Sequence, residues 1–193
     1  MKRLVRGGDV TRSGLETPLG LMFFHDDAHV SNPLPDGLAR QRFPLAHAFM
    51  SEFEERLRRR RPFRNFNPSG PEWLGLYSVT TAALAEHKVV VREVVNGMVA
   101  AAMHDASLIP DHKLHVIPCA SATEAEDLAR ALQSPIVDRL IRGFSLATSM
   151  NGSFLRYVGV DPVDETDTRA GSDRIAASLR LTKAQYDQLL ALS

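Results

Sequence analysis

The sequence predicts an α+β domain: an antiparallel or mixed sheet with a long Arg-ended helix on one side and short capped helices on the other. Three stretches carry that prediction. In "PLAHAFMSEFEERLRRRRP", Leu45, Phe49, Phe53 and Leu57 recur every four residues, the spacing of one helix face. In "KVVVREVVNGMVAAAM", two apolar runs flank Asn96-Gly97, the dipeptide best suited to a two-residue hairpin turn. In "SATEAEDLARALQSPIVDRLIRG", capping residues precede two apolar stripes.

Taken in order, residues 1–43 form a loop-rich opening segment, heavy in Gly, Pro and Asp, in which only "LGLMFFH" resembles a strand. A helix over 44–61 opens at Pro44 and stops at Pro62. Its last turn carries Arg58, Arg59, Arg60 and Arg61, with Arg56 just before and Arg64 just after. Cations there complement the negative end of the helix dipole, which already explains part of the cluster. The sheet is expected over 74–118, starting with a strand in "LGLYSV". In the alternating strand that follows, Lys88, Val90 and Arg92 share one face, and Val89, Val91 and Glu93 the other. Either this is an edge strand whose charges deter aggregation, or Lys88 and Arg92 face a bound polyanion, or Arg92 pairs with a neighbouring carboxylate. "KLHVIP" adds a strand with Leu114, Val116 and Pro118 on one face.

The remainder, 121–193, reads as helix and loop. Ser121 with Glu124, and Thr123 with Glu126, each offer a capping box ahead of Ala125, Leu128 and Leu132. Ser134 before Pro135 starts a second short helix. The polar "VDPVDETDTRAGSD" is loop, and Thr182 caps a last helix with Tyr186, Leu189, Leu190 and Leu192.

A chain of 193 residues, 44% of them hydrophobic, supports a single domain with one good core. With 23 basic and 23 acidic residues there is no global field for polyanions, so any nucleic-acid contact rests on local clustering. Cys119 is the only cysteine, which excludes an internal disulfide; with no charged-then-apolar leader, a reducing cytoplasm is expected. No apolar run approaches the ~20 residues that span a bilayer, so no membrane is expected as a partner.

Motifs for chemistry are scarce. Gly7-Gly8 lacks the strand and helix that frame a cofactor loop. "HDDAH", His25 to His29, is the densest group of metal-ligand types, but no HExxH or paired-Cys spacing separates it from a solvated loop. Asp111 with Glu86, His87 and Lys88 fits a nuclease pattern poorly, and no GxSxG elbow is present. "NPSG" at 67–70 departs from the Asn-Pro-Pro-aromatic loop of DNA amino-methyltransferases at two positions, Ser69 and Gly70. What stands out is Arg56 to Arg64 followed by Asn65, Phe66, Asn67, Trp73 and Tyr77: guanidinium groups beside amides and aromatics, the side chains that grip phosphates and bases.

Read in order, "LVRGGDV", "FFHDD", the Arg-ended helix, "WLGLYSV", "KVVVREV", "MVAAAM" and "KLHVIPCASATEAEDLARALQSPIVDRLI" resemble one layout. It is similar to the C-terminal target-recognition domain of adenine-specific DNA methyltransferases, including single-chain restriction-modification enzymes. The correspondence rests on Arg6, Gly7, Asp9 and Val10; on Lys88, Val89, Val90, Arg92 and Glu93; and on Glu124, Ala125, Leu132, Gln133 and Ser134. Val91 stands where an aromatic is common, and Gln133 replaces the usual Asn.

The resemblance implies double-stranded DNA as partner, met by Arg6, Arg58, Arg59, Arg60, Arg61, Arg64, Asn65, Asn67, Trp73, Tyr77, Lys88, Arg92, Ser149 and Asn151. It also implies a methyltransferase catalytic domain or subunit that holds S-adenosylmethionine, with no cofactor and no catalysis expected in this chain. Two other classes stay open: a protein-interaction subunit anchored by Phe23, Phe24 and Trp73, and a divalent-metal nuclease using Asp26 and Asp27.

Overall fold

The computed structural model describes residues 1–16, 19–60, 73–76, 79–93 and 97–144, with 182, 184, 185, 188 and 191 near the C-terminus. Its strands are β1 (Lys2–Val5), β2 (Val10–Thr11), β3 (Gly14–Leu15), β4 (Leu19–Leu21), β5 (His87–Arg92), β6 (Ala100–Met103), β7 (Leu108–Pro110) and β8 (Leu114–Cys119). Its helices are α1 (Asp36–Arg42), α2 (Pro44–Ser51), α3 (Glu54–Arg58), α4 (Thr81–Leu84), α5 (Ala122–Leu132) and α6 (Pro135–Phe144), with a single 3-10 turn at Gly7–Asp9. The fold is α+β. The strands form a mixed sheet β4-β1-β7, an antiparallel sheet β6-β5-β8 and the ribbon β2-β3. Among the described residues no helix is long and apolar enough to cross a membrane.

Strand β5 lies in the middle of its sheet, not at an edge. It pairs antiparallel with β6, from Lys88 against Met103 to Val91 against Ala100, and with β8, from His87 against Cys119 to Arg92 against Leu114. Val89 and Val91 enter a core with Ala125, Ala129, Leu132 and Ile136 of α5 and α6. Val90 enters the opposite one, with Val5, Val10, Met103, Leu108 and Leu114. A run of three valines is what a strand covered on both faces needs. The pairing runs one residue past β6, where Arg92 N–H donates to the Val99 carbonyl at 3.0 Å. Gly97 follows with φ +104°, a conformation that favours glycine. The rest of the expected hairpin turn, 94–96, lies outside the described residues.

Lys88 is fully buried, so the expectation of a DNA-facing lysine is corrected. Its ammonium donates to the carbonyls of Ala83 (3.0 Å) and Ala85 (2.7 Å), with the Asp105 carbonyl at 3.5 Å. It thereby satisfies carbonyls at the end of α4, which a short helix leaves unpaired. Burial, with repulsion from Lys2 second, pushes the Lys88 pKa down to about 8.

The N-terminal segment is more ordered than its composition suggests. β1 pairs parallel with β7 and antiparallel with β4, although "KRLV" and "LIP" are too short to show periodicity. "LGLYSV" is not a strand where described: Trp73 and Leu74 lie in a turn, and Gly75 and Leu76 are irregular.

The predicted long helix is broken. Just past α2 the bonds tighten to three-residue spacing, Glu52 N bonding Phe49 O at 3.3 Å and Phe53 N bonding Met50 O at 3.0 Å, and α3 restarts after Phe53 at φ −111°, ψ 6°. Of the expected i, i+4 stripe only Leu57 reaches the core. Leu45, Phe49 and Phe53 are 87%, 48% and 38% exposed, while His47 is buried and Ala46, Met50 and Leu57 pack on Phe24, Leu34, Ala39, Trp73 and Leu74. Asp36 explains the rotation: its Oδ1 accepts from His47 Nε2 (2.8 Å) and Trp73 Nε1 (3.0 Å). Hydrogen bonding from His47, more than from Trp73, holds the Asp36 carboxyl below its usual range.

The C-terminal caps form as the sequence predicts. Ser121 Oγ accepts from Glu124 N at 3.1 Å, so Ser121 is the cap, while the Glu124 carboxylate accepts not from Ser121 N, as a full capping box requires, but from Ala120 N at 2.6 Å. Ser134 Oγ accepts from Val137 N at 3.4 Å. Asp138 on α6 accepts from Met98 N (2.8 Å) and Arg12 (3.1 Å), tying that helix to the start of the β6 segment. Near the terminus, Thr182 Oγ1 accepts from Gln185 N at 3.3 Å at the start of helical residues; Tyr186, Leu189, Leu190 and Leu192 lie outside the described residues.

Replacing Lys88 by Met tests the buried amine. Its folded-state pKa lies below the ordinary 10.5, so between about 8 and 10.5 the unfolded chain holds the proton more tightly. The stability contributed by Lys88 therefore rises with pH across that window. Denaturant titrations should show the deficit of Lys88→Met growing there, by at most about 1.4 kcal/mol per pH unit.

Candidate nucleic-acid interface

The parallel strands β1 and β7 end side by side, Asp111 N donating to the Val5 carbonyl at 2.8 Å. From there β1 runs into Arg6-Gly7-Gly8 and β7 into Asp111-His112-Lys113. The pairing of β5 with β8 brings Arg92 beside Leu114, and Glu93 N donates to the Lys113 carbonyl at 3.1 Å. Three segments distant in sequence thus enclose a cleft of about 310 Å³ lined by Arg6, Gly7, Gly8, Arg92, Asp111 and Lys113.

The charges in this cleft are partly engaged. Arg6 grips Asp9 with two nitrogens, Nε to Oδ2 at 3.1 Å and Nη2 to Oδ1 at 2.9 Å, and its backbone N–H also donates to Oδ2 at 2.9 Å. The 3-10 turn across Gly7 and Gly8 makes that i, i+3 fork possible and buries Asp9. The hydrogen bond from Arg6 holds the Asp9 carboxyl below its usual range and, reciprocally, raises Arg6. Lys113 Nζ stands 3.6 Å from Glu93 Oε2, a loose surface pair. The Arg92 guanidinium has no acceptor among the described residues. Chemically, the cleft offers an open guanidinium fork and a weakly held ammonium, groups that suit a phosphate oxygen, beside the Asp111 carboxylate, which lines the same cleft and opposes an anion there.

The Arg-rich stretch is different from its sequence reading. Arg58 pairs with Glu54 at 2.7 Å and Arg59 with Glu55, each one helical turn back. Arg60 points inward instead, donating to the carbonyls of Leu57, Trp73 and Gly75 at 3.0 Å each. Burial lowers its pKa. Arg60 is therefore a strut holding Trp73–Leu76 against α3, and its assignment as a phosphate ligand is corrected. Trp73, 2% exposed with its indole N–H on Asp36, has no face for a base, so that assignment is corrected too. None of Arg58, Arg59 and Arg60 lines the cleft. Arg61, Arg64, Asn65, Asn67, Tyr77, Ser149 and Asn151 lie outside the described residues.

Of the expected site residues, then, the structure brings together Arg6 and Arg92. Lys113 and Asp111 were missed as partners of this group. An isolated lysine between two strands carries no sequence signal, and only the register of β5 with β8 places it.

The alternative sites take on structural roles. His25 is buried, with Nδ1 3.0 Å from the Val30 carbonyl and Nε2 accepting from Leu76 N at 3.0 Å, so it is a neutral Nδ1–H imidazole; burial lowers its pKa. Asp26 accepts from Ala28 N, His29 and Arg42, the last at 2.8 Å. Among the described residues no three His, Cys, Asp or Glu side chains are grouped to hold a metal ion. Phe24 and Trp73 are buried and cannot anchor a partner; among the described residues the exposed Phe side chains are Phe43, Phe49 and Phe53.

No protein-family model matches the chain, and no curated protein does.

Two substitutions separate strut from surface. Arg60→Ala should lower unfolding free energy by about 1–3 kcal/mol, because buried carbonyls lose a charged donor. Arg59→Ala should change it by less than about 0.5 kcal/mol. Denaturant melts of the two variants check this.

Proposed function

We propose that the chain is a sequence-specific DNA-binding module of the target-recognition type. It would act for a methyltransferase domain that binds S-adenosylmethionine and methylates adenine, alone or within a restriction-modification system. The observation that carries this reading is convergence. The "RGGDV" and "KVVVREV" elements, which bear the resemblance, meet at one cleft that holds Arg6, Arg92 and Lys113. Arg92 and Lys113 would neutralise phosphates and set the register of the domain on the duplex. Arg6, committed to Asp9, would shape the turn and lend the positive edge of its guanidinium. Base contacts are proposed for side chains near 65–73 and 147–153, most of which lie outside the described residues.

A protein-interaction role is the second reading, and one observation favours it. Phe43 at the junction of α1 and α2, Leu45 and Phe49 on α2, and Phe53 in the turn that follows are large, apolar and exposed.

The test is binding of a labelled random duplex at several salt concentrations. Affinity should fall steeply with salt, and Arg92→Ala with Lys113→Ala should weaken it and flatten the log–log slope by about 0.9 for each phosphate no longer neutralised. An unchanged slope in the double variant would remove the cleft from the DNA surface.

A further inference from the structure

At the end of β5 away from Arg92, His87 opens the strand. Because Lys88 pairs with Met103, the next positions outward set His87 opposite His104, just past β6. Strand alternation puts His87 on the face of Val89 and Val91, the one that α5 covers. The two imidazoles stand 5.6 Å apart between ring centroids, tilted by 58°. Glu126 of α5 reaches the same spot, its Oε1 3.5 Å from His104 Nε2.

Two features of this cluster are unexplained by the fold alone. His87 Nδ1 is buried and has no hydrogen-bond partner, which costs free energy as long as nothing meets its lone pair or proton. The gap between His104 and Glu126 is also longer than the roughly 2.7–2.9 Å of a charge-assisted hydrogen bond. The spacing of the rings suits another purpose. With nitrogens about 2.0–2.1 Å from one tetrahedral metal ion, two imidazole centroids stand roughly 5–6 Å apart. Cys119, opposite His87 on β8, is not part of the set. Its thiol donates to the Ile117 carbonyl at 3.7 Å, and burial, with Glu124 second, pushes its pKa up, whereas only the thiolate binds a metal.

The geometry points to a two-histidine site for a borderline transition-metal cation of the Zn²⁺ class, bound between His87 and His104. His87 supplies its unpartnered Nδ1. Glu126 is a positioning residue: a metal-bound imidazole is a stronger N–H donor, so the 3.5 Å gap to His104 Nε2 closes to a hydrogen bond that orients the ring and offsets the ion's charge. Among the described residues no third ligand-type side chain is grouped with the pair, so water completes the coordination sphere and the ion exchanges with solvent. Imidazole nitrogen selects zinc, nickel and copper over magnesium and calcium, which take oxygen ligands. The site lies at the opposite end of β5 from the cleft and does not depend on the DNA-binding reading.

The experiment is calorimetric titration of the full, tag-free chain with zinc chloride and, separately, magnesium chloride, with thermal melts in parallel. Zinc should bind and raise Tm, because it holds the folded state; magnesium should do neither. His87→Ala and His104→Ala should each weaken zinc by more than about tenfold, and Glu126→Gln by about tenfold, the scale of losing a partner of a metal ligand. Circular dichroism checks the folding of each variant, and His104, being exposed, keeps the test readable if His87→Ala unfolds. Absence of zinc binding overturns the site. Zinc affinity unchanged in His104→Ala also overturns it, since others of the seven histidines would then hold the ion. An equal response to magnesium overturns it as well, since carboxylates would then be the ligands.

Discussion

Strand β5 is bonded along both edges and covered on both faces, and the remaining structure is arranged by that constraint. Its register with β8 places Arg92 next to the Lys113 turn, and its register with β6 places Lys88 beside Met103. Val89 and Val91 fix α5 and α6 on one face, while Val90 fixes β1, β7 and the β2-β3 ribbon on the other. Each buried valine contributes about 1.5–3 kcal/mol of transfer free energy, and a slip of one residue would turn all three to the wrong face. The cleft follows from this packing, since its walls are strand ends held by the same two cores.

Two basic residues four positions apart on one strand have opposite fates for a physical reason. Lys88 meets unpaired carbonyls at the end of α4, and a flexible ammonium satisfies several at once. Arg92 sits at the end of the strand, where the sheet opens into the cleft and no acceptor is offered among the described residues. The same sorting divides the arginine run: Arg58 and Arg59 face glutamates on the helix surface, and Arg60 is drawn under Trp73–Leu76. A charge run read as one surface feature is two different environments.

How much was legible depends on the range of the interaction. Ser121, Ser134 and the pairing of the strands around Gly97 were readable because caps and hairpins are local. The α+β class followed from them. The parallel pairing of β1 with β7 was not, because it joins residues about a hundred positions apart in short segments with no period of their own. The core face of α2 was misread for a related reason: Asp36 draws His47 and Trp73 inward, and that distant tie outweighs a stripe of Leu45, Phe49 and Phe53. Within the candidate site, Arg6 and Arg92 were found through resemblance, whereas Lys113 and Asp111 became visible only when the sheet brought their turn alongside. The Arg6–Asp9 fork was present in the spacing of "RGGD", but its geometry depends on a 3-10 turn that composition does not reveal.

Amide chemical-shift mapping of the isotope-labelled chain, titrated with a short duplex, bears most closely on the proposed DNA surface. If the cleft binds DNA, the largest changes fall at Arg6–Gly8, Arg92 and Asp111–Lys113 and saturate together. Changes confined to the exposed apolar residues of α2, or to the Arg58–Arg59 surface with the cleft silent, would contradict it.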